Sequence, residues 1–243
     1  MNTLQHHNRF VTGALLLGLL APWAAASAGV FSVTPVRLYM TPRDRAIAVT
    51  LTNEADTDVV LQADINTWSQ KPDGTDELVL TEDLILAPPI IKLAPKARQV
   101  VRLALLRPAD ASRQLTYRMI IREVPEAQPA AGIQVPIALA LSMPVFITPP
   151  AAKRQMNCSS QRAEAKTVNV QCSNTGSAYA QIREASLVRD KLTLARFEGG
   201  SYILPGASKT VSLKGEKAVT AGEAQLVVTF DDGQSLTTSI TLP

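Results

Sequence analysis

From Gly29 onward, apolar residues recur at every second position, and no stretch of fifteen residues repeats them with the 3.6-residue period of a helix. A chain patterned this way has to bury its apolar rows by pairing strands. Ala46 to Thr52, Val59 to Trp68, Ile90 to Leu93, Val100 to Leu105, Tyr117 to Val124 and Ile133 to Ile147 read as strands, each bounded by Pro, Asp, Gly or Ala-Pro punctuation. Pro149-Pro150-Ala151-Ala152 then breaks the pattern as a short, stiff linker. A second set follows: Thr167 to Cys172, Ala180 to Val188, Lys191 to Phe197, Ser201 to Leu204, Thr210 to Leu213, Ala224 to Phe230 and Ser235 to Leu242. Asn174-Thr-Gly, Glu198-Gly-Gly and Asp231-Asp-Gly mark the turns of this set. The expected fold class is all-β, with two tandem immunoglobulin-like β-sandwich domains. Residues 29–149 form the first and residues 150–243 the smaller second.

The N-terminus stands outside that pattern. A polar start through Arg9 leads into the apolar run Phe10 to Leu20, and Ala26-Ser27-Ala28 offers small residues for cleavage. Residues 1–28 therefore read as a secretory signal rather than a membrane span, for which the apolar run is short. Removing them takes away Arg9 from a formal charge of +3, and also both histidines, His6 and His7. No histidine-dependent nucleophile or His-containing zinc site is then possible, and two cysteines cannot form a four-thiolate site. No metal or cofactor is expected. The sequence has no GxSxG, P-loop or GxGxxG, and no compact acidic constellation suggests a Lys- or carboxylate-based enzyme. Aromatics at 5% and so small a charge also exclude a nucleic-acid platform. In an exported chain Cys158 and Cys172 read as a disulfide. It would close a loop of about 15 residues, which contributes on the order of 3 kcal/mol in the chain-entropy model.

Ile133 to Ile147 is the most informative segment. Its odd positions carry Ile133, Val135, Ile137, Leu139, Leu141, Met143, Val145 and Ile147, and the even ones, as far as Ser142, are small or polar. A core strand would show such a row. Pro136 and Pro144 lack ladder donors, however, and place the strand at a sheet edge. A long apolar edge is an aggregation hazard unless it is there to pair with another chain. Each aliphatic buried in such pairing contributes roughly 1.5–3 kcal/mol before ordering costs.

The residues resemble the periplasmic chaperones of chaperone–usher pilus assembly, the PapD-like family, over the whole mature chain. Asp83-Leu-Ile-Leu-Ala-Pro-Pro-Ile-Ile-Lys-Leu-Ala-Pro-Lys-Ala-Arg-Gln-Val-Val-Arg-Leu is similar to the family's proline-pair and Gln-x-x-Arg segment. Leu115 to Pro125 is similar to its penultimate strand, and Val145-Phe146-Ile147-Thr148-Pro149 to the end of its last strand. The resemblance implies a non-enzymatic periplasmic chaperone whose partners are pilin subunits and an outer-membrane usher, with neither nucleic acid nor a small-molecule substrate. It implies donor-strand complementation: Val135, Ile137, Leu139 and Leu141, with Met143 as a fifth, would fill a subunit groove while Ala138 and Ala140 face the chaperone's own interior. It further implies that Arg37 anchors the subunit's terminal carboxylate. The Lys that would assist it is replaced by Pro144, a departure similar to the non-classical, archaic branch; Arg102 and Arg118 are the candidates for the second cation. The chief rival is a secreted adhesive or glycan-binding β-sandwich. It needs exposed aromatics, and the one Trp of the mature chain, Trp68, is expected in a sandwich core. A self-polymerising pilin, expected as a single domain, is a further rival.

Overall fold

The computed structural model describes residues 31–125 and 138–243; residues 1–28, expected to be a signal segment, Val135 and Ile137 lie outside the described residues. The first ten strands are β1 (Phe31–Thr34), β2 (Leu38–Met40), β3 (Ala46–Asn53), β4 (Val59–Gln70), β5 (Asp76–Leu80), β6 (Leu84–Ala87), β7 (Ile90–Leu93), β8 (Arg98–Leu105), β9 (Leu115–Glu123) and β10 (Ala140–Ile147). They form a sheet in the order β1-β3-β8-β6 and a second in the order β2-β10-β9-β4-β5, with β7 also on β4. Alternation decides what lies between them. Val49, Leu51, Val101 and Leu103 from one sheet meet Leu61, Ile65, Met119, Ile121 and Val145 from the other in a shared core.

The remaining strands are β11 (Met156–Glu164), β12 (Thr167–Asn174), β13 (Ala180–Arg189), β14 (Leu192–Ile203), β15 (Ser208–Lys214), β16 (Gly222–Phe230) and β17 (Ser235–Leu242). They run in the order β11-β12-β15-β14-β13-β16-β17 around a separate core of Val170, Ile182, Leu187, Leu226 and Val228. The architecture is therefore two immunoglobulin-like sandwiches in tandem. Cys158 and Cys172 are Cα partners on β11 and β12 and form the disulfide. Two details differ from expectation. The sequence Glu198-Gly-Gly is not a turn: β14 runs through it, and an irregularity in its pairing with β13 between Ile182 and Glu184 absorbs it. The short strands β1, β2, β5 and β6 and the polar β11 carry too little alternation to be read from sequence.

Each sandwich is pinned by a buried asparagine at the end of its second main strand. Asn53 Nδ2 donates to the carbonyls of Thr57, Leu93 and Ala94, and its Oδ1 accepts from Ala55 N. Asn174 Nδ2 donates to Ala178 O and Ile203 O, and Gly176 N donates to its Oδ1. Both side chains close loops whose backbone would otherwise bury unpaired carbonyls.

Candidate functional site

Register sets what the outer face of the β2-β10-β9-β4 sheet presents. Tyr39, Phe146, Thr116 and Trp68 form one row across its four strands, because Phe146 is the Cα partner of Tyr39 and of Thr116, and Thr67 pairs with Tyr117 one step away. The second sandwich packs on this row with Tyr179, Tyr202 and Leu204. Phe146 and Tyr179 stack at 4.0 Å, and Trp68 meets Tyr202 edge-on at 5.1 Å. Trp68 is thus buried, but between the sandwiches rather than in a sandwich core as the sequence led us to expect. Gln70 extends the contact: its side chain donates to Tyr202 O and accepts from Leu204 N. Gln114 accepts from Tyr179 N on the opposite side.

The next row on the same face holds Asn66, Arg118 and Pro144. Arg118 lies directly across from Pro144, the position where the expected lysine is missing. Its guanidinium sits 3.7 Å from the centre of the Trp68 ring, 5.5 Å from that of Tyr202, and 3.9 Å from Asp76 Oδ2. Burial depresses its pKa, and the nearby Asp76 and Tyr202 oppose the shift only in part.

Arg37 reaches the same region from elsewhere. The chain leaves β1 in one sheet and enters β2 in the other. Leu38 and Met40 point inward at the start of β2, so Arg37 and Tyr39 project outward toward the second sandwich. Arg37 Nη1 donates to Asp231 Oδ2 at 3.2 Å, and its guanidinium lies 5.9 Å from the centre of Tyr202. Tyr179 Oη donates to the same Asp231 oxygen at 2.9 Å, so the 3.1 Å contact between Tyr39 and Tyr179 has Tyr39 as donor. Burial pulls the Arg37 pKa down, but Tyr39, Tyr202 and Asp231 together outweigh it and leave it raised. Two guanidiniums therefore approach one tyrosine ring, at 5.9 and 5.5 Å, and one of them, Arg37, lines a cleft of about 880 Å³ together with Tyr39, Tyr179 and Asp231. A carboxylate is the ligand that such planar forks suit best.

Away from that cleft β10 has an open side. Glu123 N donates to Leu139 O, so odd residues of β10 spend their backbone groups on β9, and even residues direct theirs outward. β2 takes the outward groups only at the end, over Val145–Ile147. Among the described residues no strand pairs with the outward side of Ala140 and Ser142. Pro144 stands where its missing N–H costs the β9 ladder nothing.

The side chains alternate in the opposite sense to that expected of the small residues. Ala138 and Ala140 are exposed and do not face the chain's own interior. Leu139 and Leu141 do, half-buried at the rim of the core, because Leu141 pairs with core residue Ile121. Met143, paired with Met119, is fully inside that core and is not available as a fifth donor in this conformation. Arg102 is also not at the cleft. Its neighbours Val101 and Leu103 point into the core, so Arg102 projects from the outer face of the other sheet, with one full sandwich thickness between it and Arg37. No cluster able to hold a metal occurs among the described residues. Asp231, Tyr179 and Tyr202 were missed from sequence. The Asp231-Asp232-Gly233 turn was visible, but nothing in the sequence says that it reaches the first sandwich.

The family of pili and flagellar-assembly chaperones, through its PapD N-terminal domain, matches residues 30–153. No curated protein matches the chain in sequence. Solved structures similar in fold include the CsuC–CsuE chaperone–tip adhesion subunit pre-assembly complex from the archaic Csu pili of Acinetobacter baumannii (18% identity, 88% of this chain and 100% of that one, TM-score 0.66). The CupB2 chaperone of Pseudomonas aeruginosa is similar at 19% identity, over 87% of this chain and 100% of that one, with a TM-score of 0.56. The SafA pilin–SafB chaperone complex of Salmonella enterica gives 14% identity, 87% and 96% coverage, and a TM-score of 0.57. With more than half its length matched, and with both sandwiches in place, the chain belongs to the PapD-like pilus-assembly chaperones.

Proposed function

We propose that this chain captures pilin subunits by donor-strand complementation in the periplasm, after export on residues 1–28, and passes them to an outer-membrane usher. Residues 29–149 carry the binding edge, and residues 150–243 close the cleft. The observation that carries the reading is the unpaired outward side of β10, running away from a cleft lined by Arg37, with Arg118 near the same Tyr202 ring. This is β-strand addition, of which chaperone–pilin pairing is a known instance. Main-chain bonds along Ala140 and Ser142 supply the pairing, and Leu139 and Leu141 at the rim, with Val135 and Ile137 before them, supply the apolar row. Arg37 and Arg118 hold the subunit's terminal carboxylate, with Arg118 standing in for the cation that Pro144 cannot provide. The reaction is binding and release, without cofactor or catalysis. A glycan-binding reading finds no support in Trp68, whose face is covered by Arg118.

The test is affinity purification of the tagged chain from its native periplasm, followed by mass spectrometry. One stoichiometric pilin-like partner, lost on Ile137→Arg or Leu139→Arg, is expected. A chain that comes down alone, or a partner that both variants retain, refutes the reading.

A further inference from the structure

We propose that Asp231 is an internal carboxylate that occupies Arg37 in the subunit-free protein and is displaced by the subunit's own terminal carboxylate. The proposal rests on the reading of Arg37 as the carboxylate anchor, and it concerns how that anchor is kept before a subunit arrives.

The two carboxylates of one turn are held very differently. Asp232 is gripped by Arg154 through two bonds of 2.7 and 3.1 Å, and Arg154 is fixed in turn by Gln234 and by the Phe230 ring 4.3 Å away. Asp231 meets Arg37 through a single contact of 3.2 Å, long for a charge-assisted bond. Among the described residues Asp231 is the only carboxylate that Arg37 bonds, with the Tyr39 hydroxyl as its other side-chain partner, so part of its fork remains unspent. Geometry that a bidentate carboxylate would satisfy is therefore half-used by a monodentate one.

Asp231 is also built to let go. Asp231 N donates to Gln181 O, and Gly233 N closes the turn on Phe230 O with a φ of +79° that favours glycine. The backbone thus stays in place, and only the side chain has to swing. Tyr179 Oη continues to donate to the released oxygen, so displacement does not leave the carboxylate without a partner. Asp231 lies on the second sandwich and Arg37 on the first, 194 residues apart. The same contact that guards the anchor in the empty protein therefore also bridges the two sandwiches, and it is exchanged on loading.

The test uses the full mature chain and a minimal probe, acetyl-alanyl-alanine, against its C-terminal amide. Binding is followed by isothermal titration calorimetry, with the Arg37 Nε–Hε resonance as a site-specific readout in every chain that keeps Arg37. A pair held by one long contact, with Arg37 one third exposed and Asp231 largely buried, keeps Arg37 occupied in about four molecules of five, so Asp231→Asn should bind the acid about fivefold more tightly than the parent chain. Tyr179→Phe, which loosens Asp231 without changing charge, should move affinity the same way by less. Asp232→Asn removes an equal charge one residue away and should change affinity less than twofold. Equal or weaker binding by Asp231→Asn overturns the proposal and makes Asp231 a brace between sandwiches. A gain with Asp232→Asn as large as that with Asp231→Asn reduces the effect to the general field and also overturns it. If acid and amide bind alike and Arg37→Ala changes neither, the anchor reading itself falls, and the proposal with it.

Discussion

Replacing Arg118 by Leu separates subunit capture from folding. In the free chain Arg118 contributes a cation–π contact at 3.7 Å over Trp68, on the order of 1–2 kcal/mol for a largely desolvated cation. Against this stands the cost of burying a charge whose nearest carboxylate oxygen, on Asp76, is 3.9 Å away and not in bonding contact. Leu removes both and still covers the Trp68 face, so the two effects nearly cancel. The urea midpoint should correspond to a change within about 1 kcal/mol. Capture is a different matter. Truncating one partner of a buried, hydrogen-bonded charge pair costs roughly 2–5 kcal/mol, because the carboxylate keeps Arg37 alone and loses the bonds Arg118 supplied. At about 1.4 kcal/mol per decade, the complex should weaken by roughly 30- to 4000-fold. The assay is the dissociation constant of the copurifying pilin measured on immobilised parent, Arg118→Leu and Arg118→Lys chains, with urea unfolding in parallel. Lys restores a point charge without the fork and should recover part of the loss. An Arg118→Leu chain that captures subunit as tightly as its parent would refute the argument that β9 supplies the cation missing from β10.

Other expectations follow from neighbouring features. Ser142→Pro removes a donor only on the outward side of β10; capture should fall with little change in stability, and a variant that captures normally would show that the main-chain pairing lies elsewhere. Phe146→Ala opens the stack between the sandwiches and should cost about 3–5 kcal/mol in chemical unfolding. Removing both Cys158 and Cys172 as alanines should lower stability by about 3 kcal/mol, through the denatured chain rather than through lost contacts. Arg154 holds the Asp232 carboxyl below its ordinary range, so this turn contributes stability that is complete above the unfolded carboxylate value and is lost as pH falls through the lower folded one. Asp232→Asn should therefore lower stability near neutrality, flatten the acid limb of a stability–pH curve, and converge with the parent chain at low pH.

Much of the fold was legible because alternation is a direct consequence of strand geometry. Val49, Leu51, Val101 and Leu103 could only be inward once Ala46 to Thr52 and Val100 to Leu105 were read as strands. The edge position of β10 was legible for a related reason, since Pro144 cannot serve a central ladder. The sign of the facing was not. Odd and even rows can be distinguished from sequence, but which row meets the core depends on the partner strand, and Met119 and Ile121 of β9 decided it. The cleft was the least legible part. Arg37 and Arg118 were candidates only through a family resemblance, and Arg102 was an equal candidate until the sheets were assembled. Parity within a strand says nothing about which of two outer faces a second sandwich will cover. Asp231, Tyr179 and Tyr202 belong to that second body, and their approach to Arg37 and Arg118 is set by docking.

β10 joins these parts into a ruler. Phe146 fixes the strand to the second sandwich, and Pro144 lies beside Arg118 two residues earlier. If a subunit's terminal carboxylate is held at Arg118, every residue of the added strand acquires a fixed height along β10. With about 3.3 Å of rise per residue, Leu141 stands roughly 10 Å from Pro144 and Leu139 roughly 17 Å. A one-residue slip would turn the subunit's apolar row toward solvent and bring its polar row against Leu139 and Leu141. An open strand edge alone specifies register weakly. A charge fixed at one end removes that freedom, and this explains why an aggregation-prone edge and a buried guanidinium occur on neighbouring strands. It also predicts a length dependence. Adding one residue at the subunit's C-terminus should weaken capture more than adding two, because only the two-residue shift restores the parity of the row. Equal losses for both extensions would show that the carboxylate does not set the register.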